Sequence, residues 1–417
     1  MISYKQSKRI LKNSKIKISD EFIKSINSVN RVAAENIISQ TNNPSENNAA
    51  FDGYVINSKD TNKLNKKKGK LFKIIGTIAA GDKPNKKRNK KFETIEIMTG
   101  GLLPKGFDTI IPIEQIIFYP SKKDPKFIFL NKKIKKNQHV RFKGSDYKKN
   151  DLLIRKGTII ESNHILAFKT LGINQIKVKK IPNILFFSTG KEISNSKKIP
   201  DWKVRNSNSH YIQSINQNFL FNFYNGGVLK DNDESIFEKQ IKKTFNSKID
   251  IIVTSGAVSA GKFDYVPKIV KKFKLSSYFK GVAIRPGKPI LFAKIKNKNK
   301  AIFGLPGNPI SSAACFRFFV YPYLQNLLGI KEEKAIKAIL INRFSKKNNF
   351  TRFAKSKINT TKDGKVRVMT LKGQESFRIQ SFVKSNIWTI FPSGKSTFKK
   401  NEIVDCFLQN QPNKIFQ

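Results

Sequence analysis

The stretch DIIVTSGAVSAGKFDYV, residues 250–266, decides the fold of the chain around it. Its first part, DIIVTS, is a short apolar run typical of a buried strand, and Gly256 follows where that strand should end. A helix is expected directly afterwards, from DYVPKIVKKF. A strand, a glycine-rich loop and a helix in this order predict an α/β domain with a parallel sheet. In such domains ligands bind at the carboxyl ends of the strands.

Similar units are expected on both sides of this stretch, between residues 183 and 330. The strand NILFFST should end at Gly190, and the strand GGVL follows later. One helix is predicted to follow Asn208 and to end at Gly226 and Gly227, and another is predicted to begin at Asp233. Their apolar faces are Ile212, Ile215, Phe219 and Phe223 in the first and Phe237, Ile241 and Phe245 in the second. The apolar segment NPISSAACFRFFVYPYLQNLLG predicts a last, buried helix with a kink near Pro322.

Short strands are predicted for most of the remaining chain. Segments such as LFKIIGTIAAG and TIEIMTGGLLPKGFDTIIPIEQIIFYP, punctuated by Gly and Pro, indicate a β-rich unit from Phe51 onward. Residues 136–177 should form another small strand cluster and a helix that ends at Gly172. Residues 1–40 are expected to be helical because Ile23, Ile26, Val29 and Val32 recur at a three-residue step. After residue 331, several short strands predict a C-terminal β-barrel or sandwich.

Composition excludes several classes of protein. The chain has 417 residues, enough for about three domains. Two cysteines, Cys315 and Cys406, and three histidines exclude a disulfide framework and a thiolate or histidine-rich metal site, so a metal here should be bound by oxygen. The charge of +52 suggests an anionic partner, but lysine is spread along the whole chain. Its densest runs, NKKKGK at 65–70 and NKKRNKK at 85–91, are expected to be solvated loops. We therefore expect a cytoplasmic protein with neither a specific nucleic-acid partner nor a membrane span.

Three glycine-rich loops follow apolar strands in the α/β region, at 254–266, 281–290 and 303–312. Any one of them could be an ordinary tight turn. Because their strand ends should converge on one edge of the sheet, the three together favour phosphate binding. In the last loop, Asn308 and Pro309 suit the N-cap and first turn of the following helix.

Charged residues in and near these loops are the candidates for chemistry. Asp264 could cap the next helix or bind a hard cation, and Arg285 and Lys288 bracket a stiff Pro-Gly turn where both could face an oxyanion. Glu192 and Asp231 also follow strands. As alternatives, Glu192 could be an ordinary acid in the first turn of a helix and Asp231 an ordinary acid in a loop.

The β-rich region contributes two further motifs. AAFDGYVI places Asp52 beside a glycine, and a simple Asp-Gly turn is the alternative interpretation. MTGGLLPKGFDTIIPIE offers Thr99 with Gly100 and Gly101, which should supply a hydroxyl and a nest of backbone N–H groups.

Taken together, these segments resemble the molybdopterin molybdenumtransferase family of molybdenum cofactor synthesis, which is related to the E domain of gephyrin. Eight motifs occur in the family's order over roughly residues 20–410: AAFDGYVI, MTGGLLPKGFDTIIPIE, VRFKGSD, FFSTGKEI, NSNSHYI, DIIVTSGAVSAGKFDYV, AIRPGKPI and FGLPGNPISS. Each motif is weak alone, but eight in order are specific.

The resemblance implies a multidomain fold of α/β plus β type. An elongated two-segment domain (1–40 and 136–177) would carry an inserted β-rich domain (41–135), followed by a molybdopterin-binding α/β domain with a parallel-rich sheet and helices on both faces (178–330) and a C-terminal β-barrel domain (331–417). Family members look like homodimers with the active site between the α/β domain of one subunit and the β-rich domain of the other. The implied reaction binds adenylylated molybdopterin, cleaves its pyrophosphate with Mg²⁺ present, releases AMP and inserts molybdate. Transient contacts with a molybdopterin adenylyltransferase and molybdoenzyme chaperones are implied as well.

The same resemblance distributes roles over the matching positions. Catalytic roles fall on Asp52, Asp264, Arg285 and Lys288, and Mg²⁺ binding on Glu192, Asp231 and Asp264. Substrate binding falls on the motif residues Thr99, Gly100, Gly101, Ser188, Thr189, Gly190, Asn208, Ser255, Gly256, Ser259, Gly261, Pro286, Gly287, Pro306, Gly307 and Asn308. The pterin supplies the sulfur ligands of molybdenum, which agrees with the scarcity of cysteine.

Five positions depart from the family pattern. Lys191 replaces an acid in STGKEI, alanines stand at 257 and 260 in GAVSAG, Phe51 replaces Met, and Glu375 replaces Gly in QES. Ala257 is expected to be tolerated only if its φ is negative. Three alternative functions remain at this point: molybdopterin adenylylation, a noncatalytic gephyrin-like scaffold, and nucleic-acid binding.

Overall fold

The computed structural model describes residues 1–83, 87–215, 220–231, 233–259, 261 and 264–409. In these residues the α-helices are α1 (Tyr4–Asn13), α2 (Ser162–Thr170), α3 (Ser207–Ile215), α4 (Glu234–Thr244), α5 (Val266–Lys271), α6 (Pro309–Cys315), α7 (Tyr321–Leu328) and α8 (Ile379–Val383). None of the helices in these ranges is long and apolar enough to cross a membrane.

The N-terminal segment is mostly extended, so the expectation of a helical region over residues 1–40 is wrong beyond α1. Two strands follow that helix, β1 (Asp20–Lys24) and β2 (Ile37–Ile38). Ile23 lies in β1 and Ile26 in a single 3₁₀ turn. β1 is held by antiparallel pairing with a strand far along the chain, where Ile23 stands opposite Ile176. Local spacing does not encode that partner.

The β-rich unit is confirmed. Its strands are β3 (Asn48–Ala49), β4 (Gly53–Ile56), β5 (Lys70–Ile78), β6 (Glu93–Ile97), β7 (Thr109–Pro112), β8 (Ile117–Pro120) and β9 (Pro125–Leu130). Six of them form one sheet in the order β7-β4-β6-β5-β9-β8. Tyr54, Phe72 and Ile111 pack in its core.

Residues 136–177 pair with the N-terminal segment and with the first strand of the β-rich unit. Their strands are β10 (Val140–Arg141), β11 (Leu152–Ile154) and β12 (Gln175–Lys179), and these pair with β3, β2 and β1 in turn. α2 ends before Gly172 as expected, and Phe168 of α2 packs against Val178 and Ala33. The boundaries given above for four domains remain a prediction.

The central α/β region contains β13 (Asn183–Thr189), β14 (Ile193–Ser194), β15 (Val204–Arg205), β16 (Asn222–Leu229), β17 (Ile251–Ser255), β18 (Leu275–Lys280), β19 (Ile284–Arg285), β20 (Leu291–Ile295) and β21 (Ala301–Leu305). Six strands form a sheet in the order β16-β13-β17-β21-β20-β18. The first four are parallel, and β20 pairs antiparallel with both β21 and β18, so the sheet is parallel-rich but mixed. Ser188, Ser255 and Leu305 stand side by side at its carboxyl edge.

Helices cover both faces of this sheet, as predicted. α3, α6 and α7 pack in one core with Ile212 and Ile310, while α4 and α5 pack in another with Phe237 and Ile269. The first predicted helix is too long, because Phe223, Gly226 and Gly227 lie in β16; Phe219 lies outside the described residues. β16 is an edge strand paired in parallel with β13, and this partner overrides the helical spacing.

The last helix of the region is interrupted where a kink was expected. α6 passes into a π-helical turn, Phe316–Val320, immediately before α7, and Pro322 lies in the first turn of α7. The residues of this turn are fully buried. A proline is tolerated in the first turn of α7 because the N–H that it lacks would have bonded back to the preceding turn. That turn is already widened into a π-helix.

The C-terminal region is a closed barrel. Its strands are β22 (Ile336–Leu340), β23 (Phe344–Ser345), β24 (Thr351–Thr360), β25 (Val366–Thr370), β26 (Ile387–Phe391), β27 (Thr397–Phe398) and β28 (Ile403–Leu408). The order β24-β25-β22-β28-β26 closes by pairing β26 with β24. β19 adds to the barrel in parallel, with Arg285 beside Arg352. This pairing brings the RPGKP turn against the barrel.

The basic runs are largely solvated, as expected. Lys66, Lys67 and Lys68 are exposed, as are Lys87, Lys90 and Lys91, whereas Lys86 lies outside the described residues. Arg88 differs from this pattern. Its guanidinium pairs at 2.7 Å with Asp60, whose side chain is 4% exposed. Arg88 is therefore part of the fold of the β-rich unit and not of a free loop.

Candidate functional site

The three strand-end loops meet at the carboxyl edge of the α/β sheet. Thr189 Oγ1 donates a hydrogen bond to the Ser255 carbonyl at 3.1 Å, and Gly256 N donates to the Leu305 carbonyl at 2.9 Å. A side chain at Gly256 would place its Cβ 2.3 Å from the Thr189 carbonyl oxygen. Glycine is therefore required at this position. The 254–266 and 303–312 loops therefore converge with the end of β13. The 281–290 loop reaches the same edge, because Leu291, directly after it, pairs with Gly304, so the predicted convergence is confirmed.

Asn208 joins two of these loops. Its Nδ2 donates to Ser255 Oγ at 2.7 Å and to the Gly307 carbonyl at 2.8 Å, and the side chain is buried. Ser255 Oγ in turn donates to the Pro306 carbonyl at 3.3 Å. A buried network of this kind holds the loops in one arrangement. The predicted site residues Asn208, Ser255, Pro306 and Gly307 thus lie together.

Asn206 is a residue of this network that the sequence interpretation missed. Ser188 Oγ donates to Asn206 Oδ1 at 2.6 Å, and Asn206 Nδ2 donates to Asn195 Oδ1 at 2.9 Å. Asn206 is 5% exposed and stands two residues before Asn208. The motif NSNSHYI contained it, but only the pairing across the loop distinguishes it from its neighbours.

The backbone of the 254–266 loop is strained at one residue. Gly256 has φ +109 and Ala257 has φ +53, so alanine is accommodated here without the negative φ that was set as the condition for it. The left-handed region costs a residue with a side chain roughly 1–2 kcal/mol. The loop is closed by a hydrogen bond from Val266 N to the Ala257 carbonyl at 3.2 Å. Ala257 is held in this conformation by the chain on both sides.

Asp264 is bonded within its own loop and does not cap the helix. Asp264 Oδ2 accepts a hydrogen bond from Gly261 N at 2.7 Å, and Tyr265, not Asp264, occupies the N-cap position of α5. The alternative of a helix cap is therefore wrong. Ser259, in the same loop, is exposed, and its carbonyl accepts from Lys280 Nζ at 2.7 Å.

Two more acids lie beside the first strand end. A Cβ on Gly190 would come within 2.4 Å of both Glu192 carboxylate oxygens, so this carboxylate lies over Gly190. Asp231 Oδ1 accepts from Lys191 N at 3.4 Å. Burial raises the pKa of Tyr265, and the nearby carboxylates of Asp233, Asp231 and Glu234 raise it further. These acids therefore make the part of the carboxyl edge beside the end of β13 negatively charged.

These acids do not form a ready-made metal centre. In the ranges that the structure describes, no three His, Cys, Asp or Glu side chains gather closely enough to hold a metal ion. Mg²⁺ is usually bound through only one or two carboxylates together with substrate phosphates and water. The donor chemistry of Glu192, Asp231 and Asp264 fits that mode, and their assignment as metal ligands remains a prediction.

The RPGKP turn presents its two cations to solvent. Arg285 and Lys288 are exposed, whereas Pro286 and Gly287 between them are buried. Gly287 has φ +103, and a Cβ there would lie 2.4 Å from Cys315 Sγ of α6. The turn is thus packed directly on α6, which gives both cations a rigid base. The Arg285 guanidinium lies 4.9 Å from the ring centre of Phe350.

Arg285 opens onto a cationic cavity shared with the barrel. This cavity, of about 470 Å³, is lined by Arg285, Lys346, Lys347, Arg352, Lys372 and Gln374 among others, and its described lining contains no carboxylate. Burial and the neighbouring Arg285 lower the pKa of Arg352. Sequence interpretation missed the four barrel cations, because they stand among many other lysines and only the β19–β24 pairing brings them to Arg285.

Backbone N–H groups contribute less to anion binding than the sequence suggested. Gly190 N donates to the Leu229 carbonyl and Gly256 N to the Leu305 carbonyl, each at 2.9 Å. Asn308 takes the N-cap position of α6, but its side chain donates to Ser376 Oγ at 3.1 Å instead of capping. These two glycine N–H groups are therefore not free to bind an anion.

Asp52 and Thr99 come together in the β-rich unit. Thr99 N and Thr99 Oγ1 donate to Asp52 Oδ1 at 2.6 Å and 2.7 Å, and both bonds lower the pKa of Asp52. Gly53 is the first residue of β4, where a Cβ would lie 2.0 Å from the Ile111 carbonyl oxygen. Close approach of two strands, rather than an Asp-Gly turn, therefore explains this glycine.

The expected nest of free N–H groups at Thr99 is wrong. Thr99 N is used by Asp52, Gly100 N donates to the Ala49 carbonyl and Gly101 N to the Met98 carbonyl. The hydroxyl and the carboxylate remain as polar groups at this position. The hydrogen bonds described for Asp52 and Thr99 stay within the β-rich unit.

Comparison with known proteins places this architecture in a family. The MoeA N-terminal region (domain I and II) matches residues 2–172, and a probable molybdopterin binding domain matches residues 186–326. Molybdopterin molybdenumtransferase of Staphylococcus aureus (strain COL) is 32% identical over 385 residues, 91% of this chain and 89% of that protein. The enzyme of Staphylococcus epidermidis is 31% identical over 413 residues, 98% of this chain and 95% of that protein.

A solved structure agrees over the whole length. The crystal structure of the molybdopterin biosynthesis moeA protein from Pyrococcus horikoshii OT3 has a TM-score of 0.81 and 25% sequence identity, and the match covers 98% of this chain and 100% of that one. A second crystal structure of the Pyrococcus protein gives a TM-score of 0.83. With its fold, its strand-end loops and these relatives in agreement, the chain belongs to the molybdopterin molybdenumtransferase family and is a transferase.

Proposed function

We propose that this enzyme inserts molybdate into adenylylated molybdopterin and releases AMP, with Mg²⁺ as cofactor. The observation that carries the proposal is the cavity whose described lining holds Arg285 and four barrel cations and no carboxylate. It lies beside the RPGKP turn, which packs on α6 at the carboxyl edge of the α/β sheet. A small oxyanion and a pyrophosphate are the two anions of this reaction, and fixed cations suit both.

The part of the carboxyl edge that carries acidic side chains suits a pyrophosphate with its bound Mg²⁺. One or two of Glu192, Asp231 and Asp264 would hold Mg²⁺, with phosphate oxygens and water completing its shell. When bound, Mg²⁺ would polarise the scissile phosphoryl group. Asp264 is fixed for such a role by the hydrogen bond that its Oδ2 accepts from Gly261 N.

The buried network supports this chemistry by orientation. Asn208 ties Ser255 to Gly307, and Thr189 is tied to the Ser255 carbonyl. These bonds keep the three loops at constant spacing, so a substrate that bridges them meets the acids and cations in one geometry. Preorganisation of this kind reduces the reorganisation needed during the reaction.

A homodimer completes the proposal. Asp52 and Thr99 match the family motifs, yet their described hydrogen bonds remain in the β-rich unit. A second copy could bring them to the α/β edge of its partner. Light scattering at micromolar concentration should give twice the chain mass of 47.6 kDa, and a monomer would contradict the composite site. Cytoplasmic location, and transient contacts with an adenylyltransferase and with molybdoenzyme chaperones, belong to the same proposal.

One assay separates the proposal from its rivals. Purified protein is mixed with adenylylated molybdopterin, Mg²⁺ and molybdate, and AMP is quantified. AMP release that depends on both Mg²⁺ and molybdate supports the transferase. ATP consumption with molybdopterin would instead indicate adenylylation, and absence of any turnover would favour a scaffold. DNA affinity with a sequence preference and a steep salt dependence would indicate nucleic-acid binding.

A further inference from the structure

Trp202 is a large aromatic side chain that the fold leaves in solvent near the carboxyl edge of the α/β sheet. It is 76% exposed, and Val204, two residues further on, is 51% exposed. The chain has one other tryptophan, Trp388, and that side chain is fully buried. Folded proteins bury tryptophan to a high degree, because the indole carries one of the largest apolar surfaces of any side chain. Packing within the chain therefore does not account for Trp202.

The loop that carries Trp202 connects β13 to α3 and is tied to the strand end beside the acids. Val204 N donates to the Glu192 carbonyl at 2.8 Å, and β15 pairs in parallel with β14. At the far end of the loop, Asn206 Oδ1 accepts a hydrogen bond from Ser188 Oγ of β13 at 2.6 Å. Both ends of the loop are thus fixed to the end of β13. Trp202 is thereby kept near Glu192, one of the predicted Mg²⁺ ligands.

The order of the strands separates the two ends of the proposed substrate. Glu192 and Asp231 follow β13 and β16 at one end of the sheet, whereas the RPGKP turn directly precedes β20. Because β17 and β21 lie between, β13 and β20 are three strand steps apart, or about 14 Å at the usual strand spacing. Adenylylated molybdopterin is a linear molecule with its pyrophosphate between the pterin and the adenosine. A pterin that reaches the cationic cavity therefore leaves the adenosine at the β13–β16 end, where the loop of Trp202 lies.

We infer that Trp202 is a specificity-determining residue whose indole stacks on the adenine ring of the substrate. Stacking of a nucleobase on an aromatic side chain strengthens binding and needs no hydrogen bond to the base. The contact favours adenylylated molybdopterin over molybdopterin itself, which carries no adenine. The inference rests on the proposed function, because the position of the adenine follows from placing molybdate in the cationic cavity and the pyrophosphate at the acids.

This role predicts a particular kinetic signature. The adenine is remote from the bond that breaks, so its contact with the indole is the same before and during the reaction. Loss of an interaction of this kind raises KM and leaves kcat unchanged. We therefore expect Trp202→Ala to raise the KM for adenylylated molybdopterin about 10-fold, with kcat and the molybdate concentration for half-maximal rate near their wild-type values. Trp202→Phe keeps a smaller ring and should raise this KM only about three-fold.

A binding experiment isolates the base from the rest of the nucleotide. Isothermal titration calorimetry with Mg²⁺ present gives the Kd of AMP and the Kd of ribose 5-phosphate, which is AMP without its adenine. Trp202→Ala should weaken AMP binding about 10-fold and leave ribose 5-phosphate binding unchanged. Ile403→Ala is the control, because it removes an apolar side chain that is 69% exposed on β28, and it should change neither Kd. Because Trp202 and Ile403 are both exposed, the melting temperatures of these variants should stay near that of the wild type.

Fluorescence reports on the contact directly, because the chain has only two tryptophans. Iodide in solution can reach Trp202, which is 76% exposed, but not Trp388, which is 0% exposed. AMP should quench the part of the emission that iodide can reach and should shield the remainder of that part from iodide. Ribose 5-phosphate should have neither effect. In Trp202→Ala only the emission of Trp388 is left, and AMP should not change it.

The outcomes distinguish the role of Trp202 from the proposed function. An AMP affinity that is the same in wild-type protein and Trp202→Ala overturns the role of Trp202, while AMP release by the wild-type enzyme still supports the proposed function. Wild-type protein that releases no AMP from adenylylated molybdopterin overturns the proposed function, even if AMP binds to Trp202. Equal weakening of AMP and ribose 5-phosphate would show that Trp202 only shapes its loop. Trp202 emission that iodide cannot reach in the nucleotide-free protein would show that a second copy covers the indole, and either result overturns the stacking role.

Discussion

Substitution of Asp264 by Asn separates chemistry from folding in the loop after β17. Asp264 Oδ2 accepts from Gly261 N at 2.7 Å, and the side chain is half-buried. Asn keeps an oxygen that can accept the same bond, so only the charge-assisted part of one hydrogen bond is lost, about 1 kcal/mol or less. For a chain of this size that loss corresponds to a fall in Tm of about 2 °C or less.

The expected effect on turnover is larger. If Asp264 helps to place Mg²⁺ on the pyrophosphate, loss of its charge should slow cleavage about 10²-fold, or about 2.7 kcal/mol of transition-state stabilisation. Single-turnover AMP release and the equilibrium affinity for adenylylated molybdopterin are measured with the same preparation. The pterin affinity should stay near the wild-type value, because the group acts mainly in the transition state.

An exposed acid elsewhere provides the control. Asp363 lies in a turn of the barrel and pairs with Lys365, and Asp363→Asn should leave AMP release unchanged. Full turnover per folded enzyme in Asp264→Asn, with only a lower Tm, would show that Asp264 serves the shape of its loop and would refute its place in the reaction.

Two further predictions test other parts of the site. Arg285→Ala or Lys288→Ala should raise the molybdate concentration for half-maximal rate more than the pterin Kd, whereas Arg367→Ala, an exposed arginine of β25, should change neither. Equal weakening of both ligands would mean that the turn shapes the pocket without discriminating molybdate. Ala257→Gly should stabilise the protein by about 0.5–1 kcal/mol in urea unfolding, because relief of the left-handed strain at φ +53 exceeds the added freedom of the unfolded chain. Ala293→Gly, in the buried strand β20, should destabilise it, and a loss of stability in Ala257→Gly would contradict the strain.

Local sequence pattern by itself determined many of the elements of this protein. Apolar runs closed by glycine located β13, β17 and β21, and the helical spacing of Phe237, Ile241 and Phe245 located α4. The carboxyl ends of neighbouring parallel strands necessarily share one edge, so the convergence of the strand-end loops followed from the same pattern. The order of the motifs also indicated the family.

Tertiary structure alone decided the rest, because the deciding partner is distant in sequence. Ile23 and Phe223 have spacing that suits a helix, but each lies in a strand whose partner comes from another part of the chain. The positive φ of Ala257 depends on a loop closed by α5. The cationic cavity depends on the pairing of β19 with β24, which selects a few cations from 81 basic residues that look alike in sequence. The sequence therefore determined which elements and motifs exist, and long-range pairing decided which of their side chains meet.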